Sequence, residues 1–306
     1  MRTKLLLIML FFIHIACKPQ HNKTITMQES NQELITREPV VAGQFYPGKP
    51  EELRAELSRL FASAQIKKTE KNVRAVIAPH AGYVFSGEVA ASSFNQLDFN
   101  KKYKTIFIIG SSHRTAFDGA SIYNLGNYKT PLGIVPVDIG LASQLIAGHK
   151  CFNSRTDAHI YEHSLEVQIP FLQYRLKNEF RIIPVVIATQ NPKTCKEIAD
   201  ALKPYFTDEN LFVISTDFSH YPSYENANKT DKLTADAILS NNPQELIRTL
   251  DANESKGIDN LATSPCGWTS VLTLMYMTEK MEGISYIPVE YKNSGDAKGY
   301  GDKSRV

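Results

Sequence analysis

A chain of 306 residues with 42% hydrophobic and 22% charged residues can bury a sizeable core and lacks the composition of a disordered polymer. Its formal net charge of +2 comes from 34 basic and 32 acidic residues, and the Lys and Arg are scattered instead of forming the basic stripe that nucleic-acid binding requires. Nucleic acid is therefore excluded as a partner.

The chain opens with Arg2 and Lys4 ahead of an apolar run from Leu5 to Ile13, closed by Ala16 and Cys17. This pattern predicts a signal peptide over residues 1–16, too short to span a bilayer. A small residue followed by Cys resembles a bacterial lipoprotein processing site, although His14 stands where Leu is usual. Cys17 is then the lipidated first residue of a membrane-anchored, extracytoplasmic protein on the periplasmic side, whose only membrane contact is that anchor. Residues 17–36 are polar and without periodicity, so they read as a tether. Three cysteines remain beyond it, Cys151, Cys195 and Cys266; in an oxidising compartment the first two could pair, leaving one thiol over.

From residue 37 the pattern is α/β. Leu53, Leu57, Leu60 and Phe61 recur at helical spacing after Glu51, which predicts an amphipathic helix. Val73 to Ala78 reads as a fully buried strand running into Pro79, His80 and Gly82, with a helix from Glu88 to Leu97. Tyr103 to Gly110 is a second buried strand, ending at Ser111, Ser112 and His113. Residues 118–137 hold short strands and turns, and a helix follows near Asp138 to Ala147. A loop through Asp157 to Glu162 leads to His163 and a helical stretch in which Pro170 predicts a kink or a late start. Arg181 to Ala188 is a third buried strand, followed by a helix from about Lys193 to Pro204. Leu211 to Thr216 is a fourth, ending at Asp217 and His220. Helices are expected at about 229–240 and 243–251. Ser264 as N-cap and Pro265 in the first helical position then introduce a helix from Trp268 to Lys280, and Ile284 to Glu290 reads as a last strand. Strands alternating with helices and no internal repeat predict a single α/β domain with a mixed, mostly parallel sheet and helices on both faces.

Three strands thus end at ionisable side chains, and ligands in open α/β sheets bind beyond the strand carboxyl ends. The candidates are His80, His113, His163, His220, Asp217 and Cys266. A loop histidine taken singly is more often a hydrogen-bonded packing residue than a ligand. Two histidines at two strand tips with a cysteine at a helix amino terminus, however, could form an N,N,S metal site with open positions. A phosphate loop is excluded because Glu88 stands where Lys belongs, and the chain holds no G-x-S-x-G, C-x-x-C or H-E-x-x-H. A serine hydrolase using Ser111 or Ser112 with His220 and Asp217 remains open on residue types alone.

The segments VAGQFYP (41–47), APHAGYVFSG (78–87), IIGSSH (108–113), EHSLEVQIPF (162–171), STDFSHY (215–221) and SPCGWTSV (264–271) are similar, in family order, to those of the Memo family, known in bacteria as AmmeMemoRadiSam system protein B. That family resembles the class III extradiol, LigB-type, non-haem iron dioxygenases in fold. The resemblance implies that His80 and His113 are metal ligands, that Cys266 stands where the dioxygenases have a glutamate ligand, and that His220 is the acid/base histidine. His163 and Asp217 take pocket or supporting roles. A thiolate is softer than a carboxylate, which makes catechol cleavage a poorer match; the resemblance implies Fe(II) or copper in a redox or dioxygenase-like role on an unknown small substrate, with metal handling without turnover, or peptide binding at a vestigial active site, as the alternatives. It also implies that the chain would continue past Val306 into a final strand.

Overall fold

The computed structural model describes residues 34–67 and 72–306; the expected leader, Cys17 and most of the tether lie outside these residues. In α1 (Pro50–Ser63) Leu53, Leu57 and Leu60 are buried on one face, as their spacing requires. After β1 (Ala75–Ala78), α2 spans Tyr83–Phe94, opening five residues earlier than expected. Within it Gly87 is a packing residue. A Cβ on it would come within 2.8 Å of Leu60 Cδ1, so its absence lets α1 and α2 approach closely.

The chain continues through β2 (Thr105–Ser111), β3 (Ala120–Ile122), the β4–β5 hairpin (Tyr128–Thr130, Gly133–Val135), α3 (Ile139–Gly148) and β6 (Phe152–Asn153). A single turn, α4 (Asp157–Ile160), occupies part of the expected loop. Pro170 delays the next helix, α5, to Ile169–Arg175, where the missing N–H of proline falls in the first turn. Then come β7 (Ile182–Ile187), α6 (Pro192–Leu202), β8 (Asn210–Ser215), α7 (Tyr224–Leu239), α8 (Pro243–Ser255) and α9 (Trp268–Thr278).

Six strands form one sheet in the order β1-β8-β2-β7-β3-β6, parallel throughout except where β3 meets β7. Successive side chains alternate between its faces. Ile106, Ile108, Ile182, Leu211 and Val213 pack with Leu53, Phe94 and Phe171 from α1, α2 and α5. Phe107, Ile109, Ile183, Phe212 and Ile214 pack with Leu145, Ile198, Leu246 and Met275 from α3, α6, α8 and α9. Burial on both faces is what makes the central strands continuously apolar.

Three expectations need correction. Ser264 and Pro265 do not open α9, whose N-cap is Gly267. Residues 266 and 267 instead bond sideways to the end of β8, Cys266 N–H donating to Asp217 O at 3.2 Å and Gly267 N–H to Thr216 Oγ1 at 2.9 Å. Ile284 to Glu290 forms no strand among the described residues: Pro288 has no N–H to give to a ladder, and Glu290 is engaged with α2, accepting from Ser92 Oγ at 2.5 Å. Cys151 and Cys195 are buried free thiols, not a disulfide, and burial pushes their pKa values up to about 11 and about 12.

One buried imidazole makes the fold acid-sensitive. His159 is fully buried, with Nδ1 3.0 Å from Tyr128 Oη and Nε2 3.2 Å from Ser121 Oγ. Burial lowers its pKa from 6.5 to about 3. The folded state therefore binds fewer protons than the unfolded state as the pH falls below 6.5, and the stability present above that value is lost progressively towards pH 3. At pH 5 His159 alone should cost about 2 kcal/mol. Urea midpoints at pH 7.5 and pH 5 check this; equal midpoints would refute it.

Candidate metal centre

The strand order builds the site. β1, β8, β2 and β7 are parallel neighbours, so their carboxyl ends share one edge of the sheet. Two residues beyond the end of β1 stands His80, two beyond β2 stands His113, and two beyond β8 stands Asp217. Since β8 lies between β1 and β2, the carboxylate arises between the two histidines. Cys266 reaches the same place because its segment is hydrogen-bonded to Asp217 before α9 begins.

The donor atoms of His80, His113 and Cys266 lie within 4.8 Å of one another, as do those of Asp217, His220 and Cys266. His80 Nε2 is 3.2 Å from Cys266 Sγ and 3.8 Å from Asp217 Oδ2. A tetrahedral ion with Zn-like bond lengths separates an N and an S ligand by about 3.5 Å, so the pair is spaced as ligands would be. Asp217 Oδ1 accepts the backbone N–H groups of His80 and Ala81 at 2.7 and 3.3 Å, which fixes the His80 turn against β8. The His80 and His113 rings meet edge to face at 5.1 Å, and the His163 ring lies 4.7 Å from that of His113. All six sequence candidates are thus brought together, with His163 on the flank against Phe45.

Hydrogen bonding decides which ring nitrogens are available. His113 Nδ1 lies 2.9 Å from Glu162 Oε1, and His220 Nδ1 lies 2.8 Å from Phe218 O. An ionised carboxylate and a carbonyl can only accept, so both Nδ1 atoms donate, and in the neutral form of either ring the bare nitrogen is Nε2. Glu162 is a residue of the site that the sequence did not single out. It also accepts the backbone N–H of His113 at 2.7 Å and of Ser164 at 3.0 Å, holding the His113 turn as Asp217 holds that of His80. Its only signal was its place in the segment EHSLEVQIPF.

The charges follow. Burial lowers His80 to about 4, against the raising effect of Asp217, so the ring is neutral at pH 7. Burial also works against a charged His113, but the Glu162 hydrogen bond prevails and its pKa rises. Burial opposes ionisation of Glu162, yet the same bond holds it at about 2. Burial and then the Asp217 charge push Cys266 up to about 12; a cation at the site would reverse this and favour the thiolate. Two imidazole nitrogens and one sulfur suit a borderline or soft transition metal, and the residues fit such an ion.

The hydrolase alternative fails on geometry. Ser111 Oγ is buried against Thr269 Oγ1 and Ser270 Oγ at 2.7 and 3.0 Å, and Ser112 Oγ accepts from Thr115 N–H at 2.9 Å. Neither hydroxyl bonds a histidine among the described residues. A cavity of about 350 Å³ lined by Leu233, Arg248 and Lys256 involves none of the site residues.

The family model described as Memo-like protein matches residues 37–306. A MEMO1 family protein of Methanosarcina acetivorans is 33% identical over 266 residues, covering 86% of this chain and 94% of its own. Another from Sulfolobus acidocaldarius is 31% identical over 285 residues, covering 89% and 96%. A solved structure of an uncharacterized protein from Escherichia coli K12 aligns at 14% identity and a TM-score of 0.46, over 69% of this chain and 89% of that one. With a matching family model across the folded part and relatives this similar over nearly their whole length, the chain belongs to the Memo family.

Proposed function

We propose that the protein is a redox metalloprotein in which His80 Nε2, His113 Nε2 and Cys266 Sγ hold one Fe(II) or copper ion, acting on a small substrate. The observation that supports this most is the convergence of one ligand atom from each of these residues within 4.8 Å, with the His113 Nδ1 hydrogen held by Glu162. A bound ion would supply electron exchange and Lewis-acid polarisation there. The protein's own groups do the rest. Glu162 and Asp217 hold the two histidine turns, and the carboxylate of Asp217 places negative charge where a cation is stabilised. His220 stands beside Cys266, with Nδ1–H tied to Phe218 O, so its Nε2 can take a proton from a substrate or return one.

Metal analysis of protein purified without oxygen and loaded with Fe(II) or Cu(I) should find about one ion per chain, and His220→Ala should leave that unchanged while abolishing substrate-dependent oxygen uptake. A wild type that retains no metal sinks the reading; metal loss in His220→Ala moves His220 into the ligand set. We also propose that this centre faces an extracytoplasmic space on a lipid anchor at Cys17, since several acyl chains at about 0.8 kcal/mol per methylene hold firmly. Cys17→Ser should shift the protein to the soluble fraction, and undiminished membrane retention would refute the anchor.

A further inference from the structure

His80 is the one ligand candidate whose Nδ1 faces a group that can either donate or accept, the hydroxyl of Ser215 at 2.9 Å. The ambiguity is resolved two steps away. Gln168 is fully buried, and its Nε2 lies 2.9 Å from Pro79 O and 2.9 Å from Ser215 Oγ. Turning the amide over would set Oε1 against the carbonyl of Pro79, oxygen to oxygen, so the donor end faces Pro79 and Ser215. Ser215 Oγ also lies 2.6 Å from Ser164 O, an acceptor only, and the single hydroxyl hydrogen goes there. Both remaining positions on Ser215 Oγ must then accept, one from Gln168 and the other from His80 Nδ1–H. A neutral imidazole has one N–H, so Nε2 is left bare, 3.2 Å from Cys266 Sγ.

We infer that Ser215 and Gln168 are positioning residues that hold the His80 proton on Nδ1 and so aim an unprotonated Nε2 at the metal centre. The use made of that nitrogen rests on the metal reading above. Gln168 Oε1 is buried without a hydrogen-bond partner, so the amide keeps this orientation through its donors alone. A buried acceptor left unpaired is unfavourable, and here it accompanies an amide whose two hydrogens are both committed. Glu162 does for His113 with a charge what this neutral chain does for His80. Only the neutral arrangement suits a ring 2% exposed, because no further charge has to be buried beside Asp217.

The test uses the full chain free of metal and then loaded. Nitrogen-15 NMR of the imidazoles, with His80 assigned by its loss in His80→Gln, should show wild-type His80 as the Nδ1–H form. In Ser215→Ala no acceptor remains for that hydrogen, so the Nε2–H form should gain population, and affinity for Fe(II) or Cu(I) should fall on the order of 10–100-fold. Ser215→Thr, which keeps the hydroxyl, should restore both, and Gln168→Met should fall between; unfolding midpoints verify that each variant is folded. A folded Ser215→Ala protein that stays wholly Nδ1–H and binds metal within twofold of wild type overturns the inference. A wild type without metal affinity would refute the metal reading, while the tautomer measurement would still decide this one.

Discussion

Cys266→Ser should strip the centre of most of its affinity for soft metals, because a neutral hydroxyl replaces the one anionic ligand of the set. Losing an outer partner of a ligand costs about 10–100-fold in affinity, and losing the sulfur itself should exceed that. Cys266→Glu should recover part of the Fe(II) binding and little of the copper binding, since a carboxylate is a hard ligand. If Cys266 merely packs beneath α9, Ser would cost only about 1 kcal/mol of stability and leave metal content untouched. Metal stoichiometry of the wild type and both variants, prepared anaerobically, distinguishes these outcomes. Equal stoichiometry in all three removes Cys266 from the ligand set and leaves His80 and His113 without their third partner.

The largest loss of stability should come from Arg37→Met. Arg37 forms an ion pair with Glu166, both groups buried, and donates Nε to His159 O at 3.2 Å and Nη2 to Glu162 O at 2.6 Å. Glu166 in turn accepts from Val40 N–H at 2.9 Å, Val41 N–H at 3.1 Å and Tyr46 Oη–H at 2.5 Å. This network joins the segment VAGQFYP to EHSLEVQIPF, and so fixes the stretch that carries Glu162. Removing one partner of a buried pair strands the other charge and costs about 3–5 kcal/mol. Adding Glu166→Gln should return part of this, because an amide keeps the acceptor oxygen without a charge to bury. Urea unfolding of the single and double variants gives the comparison; a change below about 1 kcal/mol for Arg37→Met would be incompatible with a fully desolvated pair.

The central strands β2, β7 and β8 were legible because they are buried on both faces, and an uninterrupted run such as TIFIIGS leaves little room for another reading; β1, at the sheet edge, is apolar throughout although only alternate residues are fully buried. The ligand candidates His80 and His113 were legible for a related reason. Where an apolar run stops at a polar residue, the strand has left the core, and in a parallel sheet that exit edge is where ligands bind. Cys266 was weaker, resting on Ser264 and Pro265 as the opening of a helix that Gly267 caps instead, yet it arrives at the site through its backbone bond to Asp217.

The sequence by itself determined the class of fold, the four parallel strands β1, β2, β7 and β8 and the six candidate side chains, because burial periodicity and the end of burial are local properties of the chain. It also carried the resemblance to the Memo family in motifs scattered from residue 41 to 271. Only the tertiary structure decided that β8 lies between β1 and β2, which puts Asp217 between the histidines, and that Glu162, Ser215 and Gln168 govern the ring protons. Those facts depend on contacts between residues up to 137 positions apart. A hydrogen-bond partner at such a distance leaves no periodic trace in the chain, since its requirement is one atom in one place. The same holds for Gly87, whose missing Cβ matters because Leu60 packs against it, and for Ile284 to Glu290, strand-like in composition but paired with no strand among the described residues.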